Sequence, residues 1–279
     1  TTNQLGSDSV AVGTFALNAM NPASAVSMHN VAVGHNAGAA VTTGTLNTLI
    51  GSLAGDAITT ANSNVAIGKS ALSTDTKGDN SVAIGENALL TQNFTSSTDS
   101  YNVAVGSNAG RAVTTGVQNV LIGGEAGDAL TDADFNVAMG VSALGSDTLG
   151  SRNIAIGHGS LATQNFTSGT NSYNTAVGFH AGVSVTTGTI NTLIGGLAGD
   201  ALTSGDSNVA LGYLSLSSDT LGDRAVALGV NALATQNFTS TTDNYNIGIG
   251  YQAGFAVTTG VHNTFVGGLA GDATDDGAS

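Results

Sequence analysis

What this chain of 279 residues lacks narrows its chemistry. It contains no cysteine, so disulfides, thiol catalysis and thiolate-ligated metals are excluded. With one proline, no tryptophan and 40 glycines, its composition is not that of an ordinary globular core. Only five basic residues oppose 19 acidic ones, for a net charge of −14. No basic patch is present, so nucleic acid and anionic lipid are not expected partners.

Long apolar runs are also missing. No stretch approaches the ~20 residues that a membrane span needs, so direct membrane insertion is not expected. No signal peptide opens the chain, and if the protein is exported, its signal has been removed or lies upstream. The charged fraction is only 9 %, which argues against disorder.

A five-residue phrase, Asn30-Val31-Ala32-Val33-Gly34, recurs fifteen times with small changes. The closing glycines are spaced 21, 17, 17 and 17 residues apart, and this spacing repeats as a 72-residue block. A fixed short period is typical of a solenoid, in which each coil buries its apolar face against its neighbours. The sequence therefore predicts an all-β, parallel β-solenoid (β-roll) of about 15 coils of 17/17/17/21 residues. We expect one repeat domain over 1–279, in blocks of approximately 1–60, 61–132, 133–204 and 205–279, ending in a frayed tail.

Each phrase has the pattern of a strand that is apolar on both faces. A β-branched residue stands three positions before each glycine, as in Val31, and a large aliphatic residue directly before it, as in Val33. The residue between them is alanine in ten copies. We expect the first face to fill the coil and the small alanine face to need another chain, because a slim solenoid has no second internal core. This predicts a homo-oligomer.

Turn residues flank the phrase. Asparagine opens twelve of fifteen copies, tolerates left-handed backbone, and is predicted to form a side-chain ladder at one corner. The glycine should close the strand at a positive φ or at a close backbone approach. Alanine three residues later predicts a narrow interior. Structural repeat positions of this kind are Asn30, Gly34, Asn47, Gly51, Asn64, Gly68, Asn102 and Gly106.

The long coil of each block is the candidate recognition element. It inserts four residues, and in every block but the first, which has Asn21-Pro22 at this place, it brings phenylalanine and tyrosine into the loop. We expect the loop to project and bind a receptor, or alternatively to fit into a groove between chains. The predicted binding residues are Phe94, Tyr101, Phe166, Tyr173, Phe238 and Tyr245. The same loops carry the Asn-x-Thr sequons, predicted as glycosylation sites or as one chance sequon copied by duplication, at Asn93, Asn165 and Asn237.

Nothing in the pattern indicates catalysis. An enzyme needs a unique constellation, whereas the polar residues here recur in phase. The two glutamates, Glu86 and Glu125, lie in different coils. We therefore predict no enzyme activity, no catalytic residue and no cofactor.

Metal and ice binding are also disfavoured. The five histidines do not all share one repeat position, and Asp56 and its equivalents Asp128, Asp200 and Asp272 are 72 residues apart. Solvated turn acids are favoured over weak calcium binding at Asp132 and Asp134. Val-Thr-Thr-Gly occurs once per four coils, which we expect to break any threonine ladder that could order ice.

Strings such as Asn80-Ser81-Val82-Ala83-Ile84-Gly85 and Asn174-Thr175-Ala176-Val177-Gly178 carry a resemblance. They resemble the head repeats of YadA-like trimeric autotransporter adhesins and the repeats of fibre proteins of tailed viruses. The resemblance spans nearly the whole chain and implies a left-handed parallel β-roll in which three chains pack around one axis. The coils here, at 17 and 21 residues, are longer than the adhesin coil.

Together these patterns predict a non-enzymatic, extracellular, trimeric fibre segment, the shaft or head of an attachment fibre on a virion or cell surface. Its expected partners are itself and a cell-surface glycan or protein receptor. One alternative is a filament subunit that stacks head to tail, because both ends stop in mid-repeat. Another is a glycan-binding module that loses binding when Phe94, Phe166 and Phe238 become alanine.

Overall fold

A computed structural model describes residues 6–274 of the chain. These residues form two compact units, the first extending to Asn136 and the second beginning at Val137. Each unit consists of short strands and turns, and no helix occurs within residues 6–274. Each is a parallel β-solenoid, which confirms the predicted fold class. Residues 275–279, which include most of the tail predicted to fray, lie outside the described part.

The first unit contains two kinds of strand, of three and of two residues. In chain order its strands are β1 (Gly6–Ser7), β2 (Val10–Val12), β3 (Val26–Ser27), β4 (Val31–Val33), β5 (Thr48–Ile50), β6 (Val65–Ile67), β7 (Gly78–Asp79), β8 (Val82–Ile84), β9 (Thr98–Asp99), β10 (Val103–Val105) and β11 (Val120–Ile122). The three-residue strands stack in the order β2-β4-β5-β6-β8-β10-β11, while β1 pairs with β3 and β7 with β9.

The second unit repeats this arrangement. Its strands are β12 (Val137–Met139), β13 (Gly150–Ser151), β14 (Ile154–Ile156), β15 (Thr170–Asn171), β16 (Thr175–Val177), β17 (Thr192–Ile194), β18 (Val209–Leu211), β19 (Gly222–Asp223), β20 (Val226–Leu228), β21 (Thr242–Asp243), β22 (Ile247–Ile249) and β23 (Thr264–Val266). The three-residue strands stack in the order β12-β14-β16-β17-β18-β20-β22-β23, while β13 pairs with β15 and β19 with β21.

Every described pair of three-residue strands is parallel and in register. Val31 lies opposite Thr48 and Ala32 opposite Leu49, so each position of the phrase forms a column along the solenoid. Equivalent side chains in successive coils are 17 residues apart, or 21 across a long coil. A residue type repeated along the chain therefore becomes a physical row.

The alanine face of the strands, which we predicted to need another chain, lines the interior of the coil. Ala32, Leu49 and Ala66, the middle residues of their strands, have no exposed surface. Their neighbours Val31 and Ile67 point outward and are half-buried. The predicted facing of the strands is therefore wrong. A strand that is apolar on both faces does not indicate which face is inside, and the narrow interior selects the smaller one.

Size compensation fills this interior. Leu49 replaces alanine in the middle of β5, and the glycines Gly38 and Gly55 face it. A Cβ added to Gly38 would lie 2.6 Å from Leu49 Cδ1, and one added to Gly55 would lie 2.7 Å from Leu49 Cδ2. In the next two coils the middle residue of the strand is alanine, and the position equivalent to Gly38 and Gly55 is occupied by Leu72 and Leu89. The predicted narrow interior is confirmed by the complete burial of Ala37, Ala54, Ala71 and Ala88.

The asparagine ladder is also confirmed. In the first unit the Asn47 N–H donates to Asn30 Oδ1 at 2.9 Å, and the Asn64 N–H donates to Asn47 Oδ1 at 3.0 Å. Each side-chain amide also donates across the coil, as Asn47 Nδ2 does to Ala61 O at 2.8 Å. The ladder is fully buried, so it satisfies backbone groups at a corner where strand pairing has ended.

Candidate interaction surfaces

The outward residues of the three-residue strands form a surface in each unit that is apolar except for Thr48, Thr175, Thr192 and Thr264. We call it the sheet face and define it by the first and last residue of each of these strands. In the second unit Leu211 is 48 % exposed and Ile154 is 39 % exposed. None of these strands contains a charged residue. An apolar, uncharged and continuous sheet face of this kind is typical of a surface that another chain covers.

The long coils do not present their phenylalanines. Phe94, Phe166 and Phe238 are only 5 to 7 % exposed within their own chain. The expectation that they project, and the alternative that they fill a groove between chains, are both wrong. Tyr101 and Tyr173 are each 53 % exposed and Tyr245 is 47 % exposed, so the tyrosines remain candidate binding residues.

A buried aspartate holds each of these loops, and the sequence analysis missed it. Asp75 Oδ1 accepts hydrogen bonds from the Gly78 N–H at 3.0 Å and the Phe94 N–H at 3.2 Å. Its Oδ2 accepts one from Gln92 Nε2 at 2.6 Å. The same contacts recur at Asp147 and Asp219. Burial raises the pKa of Asp219, and hydrogen bonds from Gln236, Phe238 and Gly222 oppose this shift.

The sequon asparagines lie beside this anchor. Asn93, Asn165 and Asn237 are exposed, and each accepts a hydrogen bond through Oδ1 from a threonine of the preceding coil. Their exposure is compatible with glycosylation, which stays a prediction.

Two acids predicted to be solvated turn residues are partly withdrawn from water. Asp56 Oδ1 and Asp200 Oδ1 are buried without a hydrogen-bond partner. Burial raises the pKa of Asp56 and Asp200, and it does so for Asp128 as well, where Glu125 adds to the effect. Unpartnered buried oxygens of this kind cost stability when charged.

We expect an Asp200→Asn variant to be more stable than the unmodified chain at pH 7. A carboxyl whose pKa is raised by folding stabilises the fold fully below its unfolded pKa and loses this contribution as pH rises through the folded pKa. The difference between the two proteins should therefore shrink as pH falls from 7 to about 4. Urea titrations at these two pH values measure it. A gain that is equal at both pH values would show that the charge is not responsible.

No group of three or more histidine, aspartate or glutamate side chains placed to hold a metal occurs in residues 6–274. The candidate calcium ligands Asp132 and Asp134 instead accept hydrogen bonds from Thr115 Oγ1 and the Val117 N–H. Glu86 pairs with Lys69 at 3.1 Å on the surface.

Threonines do connect three successive coils, and the row ends at Asn93 of the long coil. Thr42 Oγ1 donates to Thr59 O at 3.1 Å and Thr59 Oγ1 to Thr76 O at 3.0 Å. These hydroxyl groups donate to carbonyl oxygens of the next coil. This arrangement does not favour the ordering of ice.

A row of exposed aromatic residues in the second unit also escaped the sequence analysis. Phe179, Tyr213 and Tyr251 are 53 to 56 % exposed, and each directly follows a repeated glycine. Alignment of the chain at those glycines is the signal that would have found them, because it places all three in one column.

Comparison with protein-family models, with characterised proteins and with solved structures finds no match for this chain. The resemblance to YadA-like heads and tailed-virus fibres therefore stays a prediction. Within the described residues, no helix has the length and apolarity to cross a membrane.

Proposed function

We propose that this chain is a non-enzymatic structural segment of an extracellular attachment fibre, and that copies of it pack through the sheet face. The observation that supports this most strongly is the sheet face itself, because its apolar residues remain exposed or half-exposed within their own chain. Contact between such a surface and water is unfavourable. The hydrophobic effect therefore favours burial of the surface against another copy of the chain.

The sheet face is long and narrow. Eight stacked strands in the second unit extend over roughly 35 Å at ~4.8 Å per strand. The three residues of each strand make the face about 10 Å wide at ~3.3 Å per residue. This gives roughly 350 Å² in this unit, so further residues of the chain must add to the contact to reach the ~800 Å² per partner of a standard protein interface.

Charge supports contact between identical copies. The chain carries a net charge of −14, so two copies repel each other over most of their surface. The strands of the sheet face carry no acid. Contact through the sheet face therefore keeps like charges apart. The number of copies comes from the resemblance, which implies a homotrimer.

Receptor contact is assigned to the long coils. Tyr101, Tyr173 and Tyr245 lie half-exposed at their ends, where amphipathic side chains are suited to bind a cell-surface glycan or protein. A virion or cell surface is the expected location. A head-to-tail filament remains the alternative that the sequence raises.

A charge placed on the sheet face is the test of this proposal. Glutamate in place of Val177 or Ile194 should reduce the assembly to single chains, because each contact between copies would then bury an unpaired carboxylate. Multi-angle light scattering measures the mass. The control is Thr187→Glu, which adds the same charge at an exposed turn. If the two face variants keep the mass of the control, the sheet face is not the contact.

A further inference from the structure

The residue that follows each repeated glycine forms an exposed column in which the two units differ. In the second unit it is aromatic or apolar in five coils: Val141, Phe179, Tyr213, Val230 and Tyr251. The first unit has polar residues at the same place, namely Thr14, His35, Ser52, Lys69, Glu86 and Ser107. We call His158, Phe179, Tyr213 and Tyr251 the aromatic strip.

Folding does not require these aromatic rings. Most positions of the coil keep their residue type from one 72-residue block to the next, as the asparagines and glycines do. This column does not: Ser107 becomes Phe179 and then Tyr251, while Lys69 becomes Val141 and then Tyr213. The same backbone accommodates all of them, so stability does not explain exposed rings here.

Contacts with neighbouring residues order the Phe179 ring. The Phe179 ring stacks on His158 of the preceding coil, with centroids 5.6 Å apart, and on His180 at 4.0 Å. Gly196 separates Phe179 from Tyr213 in the column, and a Cβ there would lie 3.6 Å from Tyr213 Cδ2. The Tyr213 ring therefore lies within contact distance of this glycine. Ordered rings lose little conformational entropy when they bind a ligand.

The spacing of the strip suits a linear ligand. Phe179 follows β16, Tyr213 follows β18 and Tyr251 follows β22, so these three rings are two stacked strands apart. His158 follows the neighbouring strand β14 and stacks on Phe179. At ~4.8 Å per strand the repeat is about 10 Å along the sheet. This is approximately the length of a disaccharide in an extended β-linked glycan.

The chemistry around the strip favours a neutral sugar. None of its four residues is an acid, a lysine or an arginine. Within the strip, Phe179 is followed by His180 and Tyr251 by Gln252, whose side chains both donate and accept hydrogen bonds. Sugar rings present apolar C–H faces to aromatic rings and hydroxyl groups to amides. A second protein would be expected to find an anchoring pocket, whereas these rings lie in an exposed row.

We propose that the aromatic strip of the second unit binds a neutral, extended polysaccharide, with one ring contacting every second sugar. The site is distinct from the long-coil tyrosines. It does not depend on the proposed assembly, because the strip lies beyond the glycine that closes each strand of the sheet face.

Affinity electrophoresis tests this in native gels that contain hydroxyethylcellulose or galactomannan, with alginate as an acidic contrast. The test protein is a triple variant, Phe179→Ser, Tyr213→Val and Tyr251→Ser, which copies residues found at the same column in other coils. The control triple variant replaces Tyr101, Tyr173 and Tyr245 by serine. We expect at least one neutral polysaccharide to retard the unmodified chain and the control, and the strip variant to bind roughly tenfold more weakly or worse.

Three outcomes would overturn the proposal: no retardation by either neutral polysaccharide, equal retardation of the strip variant, or retardation lost only in the control. Light scattering on the same samples shows whether a loss of polysaccharide binding is accompanied by a loss of assembly. A strip variant whose mass falls to that of one chain would place the strip in the contact between copies and would also overturn it.

Discussion

A Gly195→Ala variant is expected to lose about 3 kcal/mol or more of stability in the second unit. Gly195 closes β17 at φ 134, a conformation that L side chains rarely adopt. A Cβ at this position would lie 2.6 Å from Gly212 O in the next coil. That atom belongs to backbone fixed by strand pairing on both sides, so it cannot move away cheaply.

The adjacent glycine provides the matched control. Gly196 lacks a positive φ, and a Cβ there would make only ordinary contacts, the closest at 3.6 Å from Tyr213. Gly196→Ala should change stability by no more than about 0.5 kcal/mol. Because coils of a solenoid can unfold separately, hydrogen exchange is the suitable measurement, read at the amides of β17 and β18. Equal protection in the two variants would contradict the backbone clash as the reason for the repeated glycine.

An Asn191→Ala variant is expected to lose about 2–4 kcal/mol, because it leaves two buried backbone groups without partners. Asn191 has no exposed surface. Its Nδ2 donates to Gly205 O at 2.8 Å, and its Oδ1 accepts from the Asn208 N–H at 2.9 Å. Alanine removes both bonds, and the narrow corner favours no replacement for them.

The chain itself contains a compensated version of this change. Ala225 occupies a ladder position and has no side-chain oxygen. Asn244 Oδ1 instead accepts the hydrogen bond from the N–H of the next ladder residue, Asn246, at 2.9 Å. For Asn191 the equivalent residue, two positions before Asn208, is Asp206, and its Oδ1 already accepts from the Thr189 N–H at 2.6 Å and from Thr189 Oγ1 at 2.9 Å. The control is Asn165→Ala, an exposed asparagine that accepts one bond from Thr148, with an expected loss below about 1 kcal/mol. Urea unfolding compares the two variants, and similar losses would show that the ladder does not support the corner.

The features that the sequence predicts well are those in which repetition is itself the evidence. Asn47 and Gly51 recur because each row needs the same residue in every coil, so the fold class, the ladder and the positive φ of the glycine could all be derived. The side of the strand that points into the coil could not be derived. Val31 and Ala32 are both apolar, and only the volume of the interior decides which of them is buried. Leu49 was the available clue, because its size is balanced by Gly38 and Gly55.

The candidate sites were harder to predict for two physical reasons. Exposure of Phe94 depends on a loop anchored by Asp75 and Gln92, which are distant in sequence and come together only when the coils stack. The aromatic strip, in contrast, departs from repetition. Phe179 and Tyr213 are visible only when the chain is aligned at its glycines and the variable column is compared between units.

The absolute mass of the unmodified chain in solution tests the central claim most directly. If the sheet face packs against identical copies, light scattering will give a discrete species near three times the 27.2 kDa of one chain. This mass should persist on dilution, because the apolar contact is continuous along each unit. A species of 27.2 kDa at all concentrations would contradict the account, since the sheet face would then be stable in water without a partner.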